Sequence, residues 1–205
     1  MHGVTGRMGL NQHLKRSVMN IREVGGVLLG NGDRILPDPL LLGRDDAKLA
    51  SIAAETGIHS YTTDYDLAIR SPEHTLFFDA GSTAMRPELL GQAIAAGKHV
   101  YCEKPVASTL AGARKLCDRA AQAKVKAGVV MDKLFLPGLI KLAQLKGEGF
   151  FGRILSVRID FGYWVFAGDD SPSNRPSWNY RKRDGGGIIF DMMAHWRYVL
   201  DRLVA

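Results

Sequence analysis

The chain has 205 residues, 46% of them hydrophobic, and a net charge of +6, which is typical of a soluble globular protein of one or two domains. No apolar run approaches the roughly 18 residues of a membrane span, and the basic residues are scattered apart from Arg181-Lys182-Arg183, so the sequence indicates neither a membrane protein nor a nucleic-acid binder. The positive charge instead favours an anionic cofactor or substrate. The two cysteines, Cys102 and Cys117, lack metal-ligand spacing and indicate a cytoplasmic protein without a metal site.

The chain opens with Gly3-Val4-Thr5-Gly6-Arg7-Met8-Gly9, in which every third residue is glycine, and continues as a predicted helix to about Met19. Absent side chains let a pyrophosphate approach the backbone, and the first-turn N–H groups of a helix have no intrahelical partner. An ordinary turn and helix start is the alternative, because the usual dinucleotide motif is G-x-G-x-x-G after a strand and only two residues precede Gly3. The candidate cofactor-binding residues here are Gly3, Gly6, Arg7, Met8 and Gly9.

A short apolar strand at Leu40–Leu42 ends in Gly43-Arg44-Asp45-Asp46. In a nucleotide-binding sheet the end of the second strand faces the adenosine ribose, where an acidic residue binds the two hydroxyls and an arginine suits a 2′-phosphate. Gly43 and Arg44 occupy that position, so we expect NADP to be preferred over NAD. A surface arginine beside a helix cap is the alternative, because the two aspartates match the cap and first turn of a helix.

Helices and strands alternate as far as Val130 at the spacing of βαβ units, which predicts a parallel sheet covered by helices on both faces. The predicted helices are Asp45–Thr56, Arg86–Ala96 and Thr109–Ala123. The predicted strands are Ile58–Tyr61, His74–Asp79, Lys98–Cys102 and Ala127–Val130. A loop or loose hairpin is predicted between Val24 and Pro39, where glycine, asparagine and proline mark turns. We expect residues 1–130 to form one α/β domain.

The pattern changes near Met131. Pro137–Lys146 is predicted as a helix, Ile154–Tyr163 alternates between apolar and polar residues as an antiparallel strand does, and Ile188–Leu203 is predicted as a further helix. The segment Asp169–Gly187 is polar and rich in turn residues, which is typical of a functional or a disordered loop. We expect residues 131–205 to belong to a second domain.

Three residues are candidates for chemistry. Lys104 follows a predicted parallel strand, at the edge of the sheet where ligands bind in α/β proteins, and a lysine there can hydrogen-bond a reacting hydroxyl. A plain surface lysine is the alternative.

Asp191 and His195 are four residues apart and therefore share one face of the last helix. A histidine with a carboxylate partner in a partly buried site can act as a general base, and a helix-surface ion pair is the other interpretation.

Together these motifs resemble the Gfo/Idh/MocA oxidoreductases. The resemblance rests on the glycine loop, on Glu103-Lys104-Pro105 at a strand end, and on Gly185-Gly186-Gly187 followed by Asp191-x-x-x-His195. It implies an NAD(P)-binding domain with a Rossmann-type parallel sheet over residues 1–130. Over residues 131–205 it implies the first part of an α+β substrate and oligomerisation domain with an antiparallel sheet. It also implies that Glu103 and Lys104 contact the cofactor, that Lys104 assists catalysis, that Asp191 orients the substrate and that His195 is the acid–base group.

The resemblance predicts an NAD(P)-dependent oxidoreductase that acts on CH–OH groups and transfers a hydride between the nicotinamide and a sugar- or polyol-like substrate. Members of the family carry a first strand before the glycine loop and a long continuation after the Asp-x-x-x-His helix. We therefore expect a largely missing first strand, an incomplete antiparallel sheet and a chain truncated at both ends. A non-catalytic nucleotide-binding or regulatory fragment of the same family is the alternative. Homo-oligomers through the C-terminal sheet are expected of a full-length chain only.

Overall fold

The computed structural model describes residues 1–162 and 187–204. The chain divides into two compact units, Met1–Val130 and Met131–Ala205. The first unit contains parallel strands and helices, and the described part of the second is helical. The loop predicted at Asp169–Gly187, apart from Gly187 itself, and the basic cluster Arg181-Lys182-Arg183 lie outside the described residues. In the parts described, no helix is long and apolar enough to cross a membrane.

All strands that the structure describes lie in the first unit. They are β1 (Val27–Leu28), β2 (Arg34–Ile35), β3 (Leu41–Leu42), β4 (Tyr61–Thr62), β5 (Leu76–Asp79), β6 (His99–Cys102) and β7 (Ala127–Val129). β1 and β2 form an antiparallel hairpin within the predicted loop region. β3 pairs with β4, and β5, β6 and β7 pair in that order, all in parallel. β4 begins later than predicted: Ile58 packs in the core, and pairing with β3 starts only at Tyr61.

His2 occupies the central position between β3 and β5, where it forms parallel bridges to Leu42 and to Asp79. Backbone hydrogen bonds of 2.8 to 3.2 Å join Met1, His2 and Gly3 to the neighbouring strands on both sides. The sheet order is therefore β4-β3-(Met1–His2)-β5-β6-β7. The direction of winding reverses at the central position, which is where sheets of this type bind ligands.

The helices of the first unit begin with α1 (Met8–Met19), which continues directly as Asn20–Glu23 and so runs beyond its predicted end. The others are α2 (Asp46–Thr56), α3 (Tyr65–Arg70), α4 (Arg86–Ala95) and α5 (Leu110–Gln122). Asp45, Asp64 and Thr109 cap α2, α3 and α5 by accepting backbone hydrogen bonds of 3.0 to 3.1 Å. α3 is not among the predicted helices, although Asp64 is a typical cap residue.

The core of the first unit lies on both faces of the sheet. Leu41 packs with Leu14 of α1 and Leu49 of α2 in one buried cluster. Its neighbour Leu42 packs with Ile69 of α3 and Leu89 of α4 in a second cluster. Successive residues of a strand point to opposite faces, so two adjacent leucines contribute to both layers. This is the parallel sheet with helices on both faces that the alternation of elements predicts.

The described part of the second unit contains a 3-10 turn (Asp132–Phe135), α6 (Pro137–Gly147) and α7, which comprises Ile189–Met193 and Ala194–Leu203. The strand predicted from Ile154 to Tyr163 is not found: residues 154–162 form no strand, and Tyr163 lies outside the described part. Alternation determines which face a strand would bury, but a strand also needs a neighbour for its backbone hydrogen bonds. The structure describes no second strand in this unit.

Candidate functional site

The predicted cofactor residues of the first unit share one edge of the sheet. His2 leads into the segment Gly3–Gly9, β3 leads into Gly43 and Arg44, and β6 leads into Glu103-Lys104-Pro105. Carboxyl ends of parallel strands lie at the same edge, and ligands of such sheets bind there. The fold therefore brings together segments that are far apart in the sequence.

Two of the three glycines of the first loop, Gly3 and Gly9, have a steric reason to be glycine. Gly3 adopts a φ of +82°, and a Cβ there would lie 2.5 Å from the backbone of Ala80. A Cβ on Gly9 would lie 2.2 Å from the Gly3 carbonyl oxygen. The Gly6 amide donates a 3.0 Å hydrogen bond to that same carbonyl and closes the turn. The glycines thus let α1 start directly against the end of the central segment.

The start of α1 has no side-chain cap, because Arg7 at the cap position makes no capping hydrogen bond. In the same unit α2, α3 and α5 are capped by side chains, whereas α4, like α1, is not. Gly6, Arg7 and Met8 are exposed at this helix start. Exposed glycine backbone and an uncapped helix N-terminus fit a pyrophosphate, which accepts hydrogen bonds from first-turn amides and is stabilised by the helix dipole. The residues present are therefore compatible with a dinucleotide.

Gly43 and Arg44 lie next to this loop. A Cβ on Gly43 would lie 3.1 Å from the Thr5 side chain, so the end of β3 packs closely on the glycine segment. Arg44 is exposed. Burial raises the pKa of the Tyr65 hydroxyl, and the nearby charge of Arg44 partly opposes that rise. The Tyr65 hydroxyl in turn lies 3.0 Å from His2 Nε2, at the centre of the sheet edge.

Asp79, at the end of β5, is fully buried. Its Oδ1 lies 2.5 Å from His2 Nδ1 and accepts the Gly81 amide at 2.9 Å, and its Oδ2 accepts Arg86 Nε at 2.7 Å. Burial disfavours the carboxylate, but these hydrogen bonds and the Arg86 charge outweigh it and hold the pKa of Asp79 below its ordinary value. Arg86 also donates to the carbonyls of Gly81 and Pro105, so one guanidinium joins two loops of the sheet edge.

Glu103 is buried at the end of β6. Its Oε1 lies 2.6 Å from Nε2 of His13 on α1, and its Oε2 accepts the Lys104 amide at 3.2 Å. Its own amide donates to the Asp79 carbonyl at 2.8 Å. Lys104 is half-buried. The Glu103 carboxylate thus connects the first helix with the backbone of the candidate lysine.

In the second unit, Asp191 and His195 lie on α7 and are buried, with 7% and 5% of their surface exposed. Such burial does not fit the helix-surface ion pair that was the alternative interpretation. His195 Nδ1 lies 3.8 Å from Oδ1 of Asp132, so the 3-10 turn brings another carboxylate to this histidine. The Asp191 amide donates to the carbonyl of Gly187, whose φ is +116°. The preceding two glycines of the motif, residues 185 and 186, lie outside the described residues.

Several polar residues around these positions are not evident from the sequence alone: His2, His13, Asp79, Arg86 and Asp132. The partners of His2 and His13 are distant in sequence, at separations of 77 residues for Asp79 and 90 for Glu103, so no spacing rule finds these two pairs. Asp79 could have been found, because its carboxylate ends the apolar run of β5. Within residues 1–162 and 187–204, no three His, Cys, Asp or Glu side chains are grouped to hold a metal ion.

Two family models match the chain. One, described as the oxidoreductase family with an NAD-binding Rossmann fold (GFO_IDH_MocA), matches residues 40–131. The other, described as the GFO/IDH/MocA C-terminal domain, matches residues 139–204. These matches confirm the predicted α/β class with a Rossmann-type sheet. The glycine loop precedes the first match, so its interpretation depends on the geometry above.

Individual relatives agree with the family models. A D-xylose dehydrogenase of Paenarthrobacter nicotinovorans is 50% identical over 204 residues, which are 100% of this chain and 53% of that protein. The crystal structure of an NAD binding oxidoreductase from Klebsiella pneumoniae aligns with a TM-score of 0.76 and 26% identity, over 99% of this chain and 52% of the other. A levoglucosan dehydrogenase in complex with NADH and levoglucosan shares the fold, with a TM-score of 0.77 at 21% identity over 99% and 52% of the two chains. The chain thus spans about half the length of these relatives.

Proposed function

Because the chain belongs to the GFO/IDH/MocA oxidoreductase family, we propose that it functions in NAD(P)-dependent oxidation or reduction at CH–OH groups. The reaction is hydride transfer between the nicotinamide and a sugar- or polyol-like substrate. One observation carries the proposal: an uncapped glycine-rich helix start and Lys104 share the carboxyl edge of the parallel sheet. In this fold that edge is where dinucleotides bind.

The loop geometry supports the cofactor roles that we propose. The backbone of the glycine segment and the start of α1 receive the pyrophosphate, and the residues assigned to this are Gly3, Gly6, Arg7, Met8 and Gly9. Gly43 and Arg44 face the adenosine ribose, and Glu103 and Lys104 lie toward the reacting end. The exposed Arg44 guanidinium suits a 2′-phosphate, and the following Asp45 already caps α2 through the Lys48 amide. We therefore propose NADP as the preferred cofactor and NAD as the weaker one.

The catalytic roles are assigned to Lys104, Asp191 and His195. When bound, the nicotinamide supplies the hydride acceptor or donor. Lys104 hydrogen-bonds the reacting oxygen of the substrate, and Asp191 orients the substrate through its hydroxyl groups. His195 exchanges the hydroxyl proton at Nε2, because its Nδ1 faces Asp132 at 3.8 Å. A buried imidazole with a nearby carboxylate is suited to this exchange near neutral pH.

A turnover assay tests the proposal. D-xylose with NADP⁺ is the first substrate pair to assay, because a 50% identical relative is named a D-xylose dehydrogenase. We expect the absorbance of reduced nicotinamide to increase with the unmodified chain. Removal of a general acid–base group lowers turnover by about 10²- to 10⁴-fold, so His195→Ala should lose that much while NADPH affinity stays nearly intact.

The matched control is His59→Ala, which removes the same side chain from an exposed position. Equal turnover in His195→Ala and in the unmodified chain refutes the role of His195. Saturable NADPH binding without turnover on any aldose or polyol tested indicates the other function predicted from the sequence, a non-catalytic nucleotide-binding fragment.

A further inference from the structure

His13 forms a buried link that the proposed function does not use. Its Nε2 lies 2.6 Å from Oε1 of Glu103, and the two side chains are only 14% and 10% exposed. His13 lies on α1, which follows the central segment Met1–His2. Glu103 follows β6, which is separated from that segment by β5. The pair therefore connects the helix that starts at the glycine loop with the strand that ends at Lys104.

Both partners are held in place by additional contacts. The His13 ring packs edge-on against the Phe78 ring, with the centroids 4.8 Å apart. The Glu103 amide donates to the Asp79 carbonyl at 2.8 Å, which continues the ladder between β5 and β6. A hydrogen bond between two groups that are already fixed loses little side-chain entropy when it forms.

The second oxygen of the Glu103 carboxylate accepts the Lys104 amide at 3.2 Å. A glutamate side chain has several rotatable bonds, and the contact from His13 to Oε1 restricts them so that Oε2 stays beside this amide. The chain of contacts therefore runs from α1 through His13 and Glu103 to the backbone of Lys104.

We propose that His13 is a positioning residue that holds Lys104 in register with the cofactor loop by orienting the Glu103 carboxylate. The inference rests on the proposed function, because it gives Lys104 and the glycine loop the roles assigned above. His13 itself contacts neither the substrate nor the cofactor in this assignment. It fixes the distance between two elements that must act on the same bound molecule.

Hydrogen exchange at the Lys104 amide tests the proposal in the chain without added cofactor. His13→Leu keeps an apolar contact with Phe78 and removes the partner of Glu103, and we expect exchange at Lys104 to increase about tenfold or more. His13→Gln restores a donor that can reach the carboxylate, and exchange should return to within about twofold of the original rate. His59→Leu, at an exposed position, should leave it unchanged.

Unchanged exchange at Lys104 in a cooperatively folded His13→Leu chain overturns the proposal, as does an increase that His13→Gln does not reverse. If His13→Leu alone fails to fold, His13→Asn replaces it, because this side chain stays polar but is shorter than the imidazole that contacts Oε1, and it should show the same increase at Lys104. Titration of the same samples with NADPH and NADH keeps the two claims separate. If the unmodified chain binds neither NADPH nor NADH, the proposed function is contradicted. The role of His13 is tested separately by the exchange rates at Lys104.

Discussion

The guanidinium of Arg86 lies 2.7 Å from the carboxylate of Asp79, and both side chains are removed from solvent, with 2% and 0% of their surface exposed. The pair stands at the end of β5, next to the central segment Met1–His2. Arg86 also donates to the carbonyls of Gly81 and Pro105. A single ion pair therefore supports the two loops that follow β5 and β6.

Loss of the Arg86 charge should destabilise the first unit strongly. Arg86→Met retains most of the side-chain volume but leaves Asp79 buried without its cation, and breaking such a pair from one side costs about 3–5 kcal/mol. Arg197→Met is the matched control, because it breaks an exposed Arg197–Asp201 pair, and exposed pairs contribute at most about 1 kcal/mol. Denaturant unfolding measures both, and equal effects of the two variants contradict the assignment.

The amino group of Met1 should make stability depend on pH. Burial lowers its pKa from 8.0 to about 5, although the charge of Asp79 partly opposes the shift. Between these values the unfolded chain binds more protons than the folded chain, so the free energy of unfolding should rise as pH increases from about 5 to 8. At one pKa unit per 1.36 kcal/mol the rise amounts to at most about 4 kcal/mol.

A short extension before Met1 provides the control for this pH dependence. The extension converts the amine into a peptide N–H, which does not titrate. This N–H can still donate to the Leu40 carbonyl, which lies 2.7 Å from the Met1 nitrogen in the original chain. Unfolding free energies of the extended chain should be nearly flat over the same pH range. A slope as steep as that of the original chain would assign the effect to other groups.

Arg44→Ala should weaken the binding of NADPH much more than that of NADH, because only NADPH carries the 2′-phosphate that Arg44 is proposed to pair with. A hydrogen-bonded charge pair at a partly exposed site is worth roughly 1.5–3 kcal/mol, or about 10- to 100-fold in affinity. Lys48→Ala removes another exposed cation from the same region and is the control. Fluorescence titration gives the four dissociation constants, and equal losses for both cofactors refute the NADP preference.

Lys124→Gly should stabilise the protein. Lys124 has a φ of +55° at the end of α5, and the amides of Lys124 and Val125 donate to the carbonyls of Ala121 and Ala120. This helix-ending pattern favours glycine, and α4 ends in the same way with Gly97. Glycine adopts a left-handed backbone without strain, so the substitution should raise the free energy of unfolding by about 0.5–1 kcal/mol. The reciprocal change Gly97→Lys should destabilise by a similar amount in thermal melts, and a stability gain from it contradicts the argument.

Local signals made much of the first unit predictable. Asp45 and Gly57 mark the ends of α2 by side-chain capping and by a left-handed φ of +68°, and both depend on residues within one turn. The adjacent Leu41 and Leu42 predict a strand buried on both faces, because each face of a parallel sheet is covered by helices. At the ends of α2 the neighbours in sequence are also the partners in space, whereas the two leucines reveal their burial by their apolar character alone.

Features that depend on distant partners were not predictable in the same way. The contact between His2 and Asp79 and the contact between His13 and Glu103 form only when the sheet is assembled. Conversely, the alternating segment 154–162 has the period of a strand but no strand beside it in the described part of its unit. Periodicity defines which face is apolar, whereas the neighbouring element decides whether a strand forms.

The most direct test of the central claim is the NADPH dissociation constant of Gly6→Ala. A Cβ on Gly6 meets only the Gly3 carbonyl oxygen, at 3.3 Å, so the variant should fold with a melting temperature close to that of the original chain while its methyl group obstructs the pyrophosphate. Gly30→Ala is the control, because a Cβ there meets nothing within 4 Å. We predict saturable NADPH binding by the original chain and by Gly30→Ala, and binding at least about tenfold weaker by Gly6→Ala. Equal affinity in all three chains, or a cooperatively folded original chain that binds neither NADPH nor NADH, would contradict a dinucleotide site at the glycine loop.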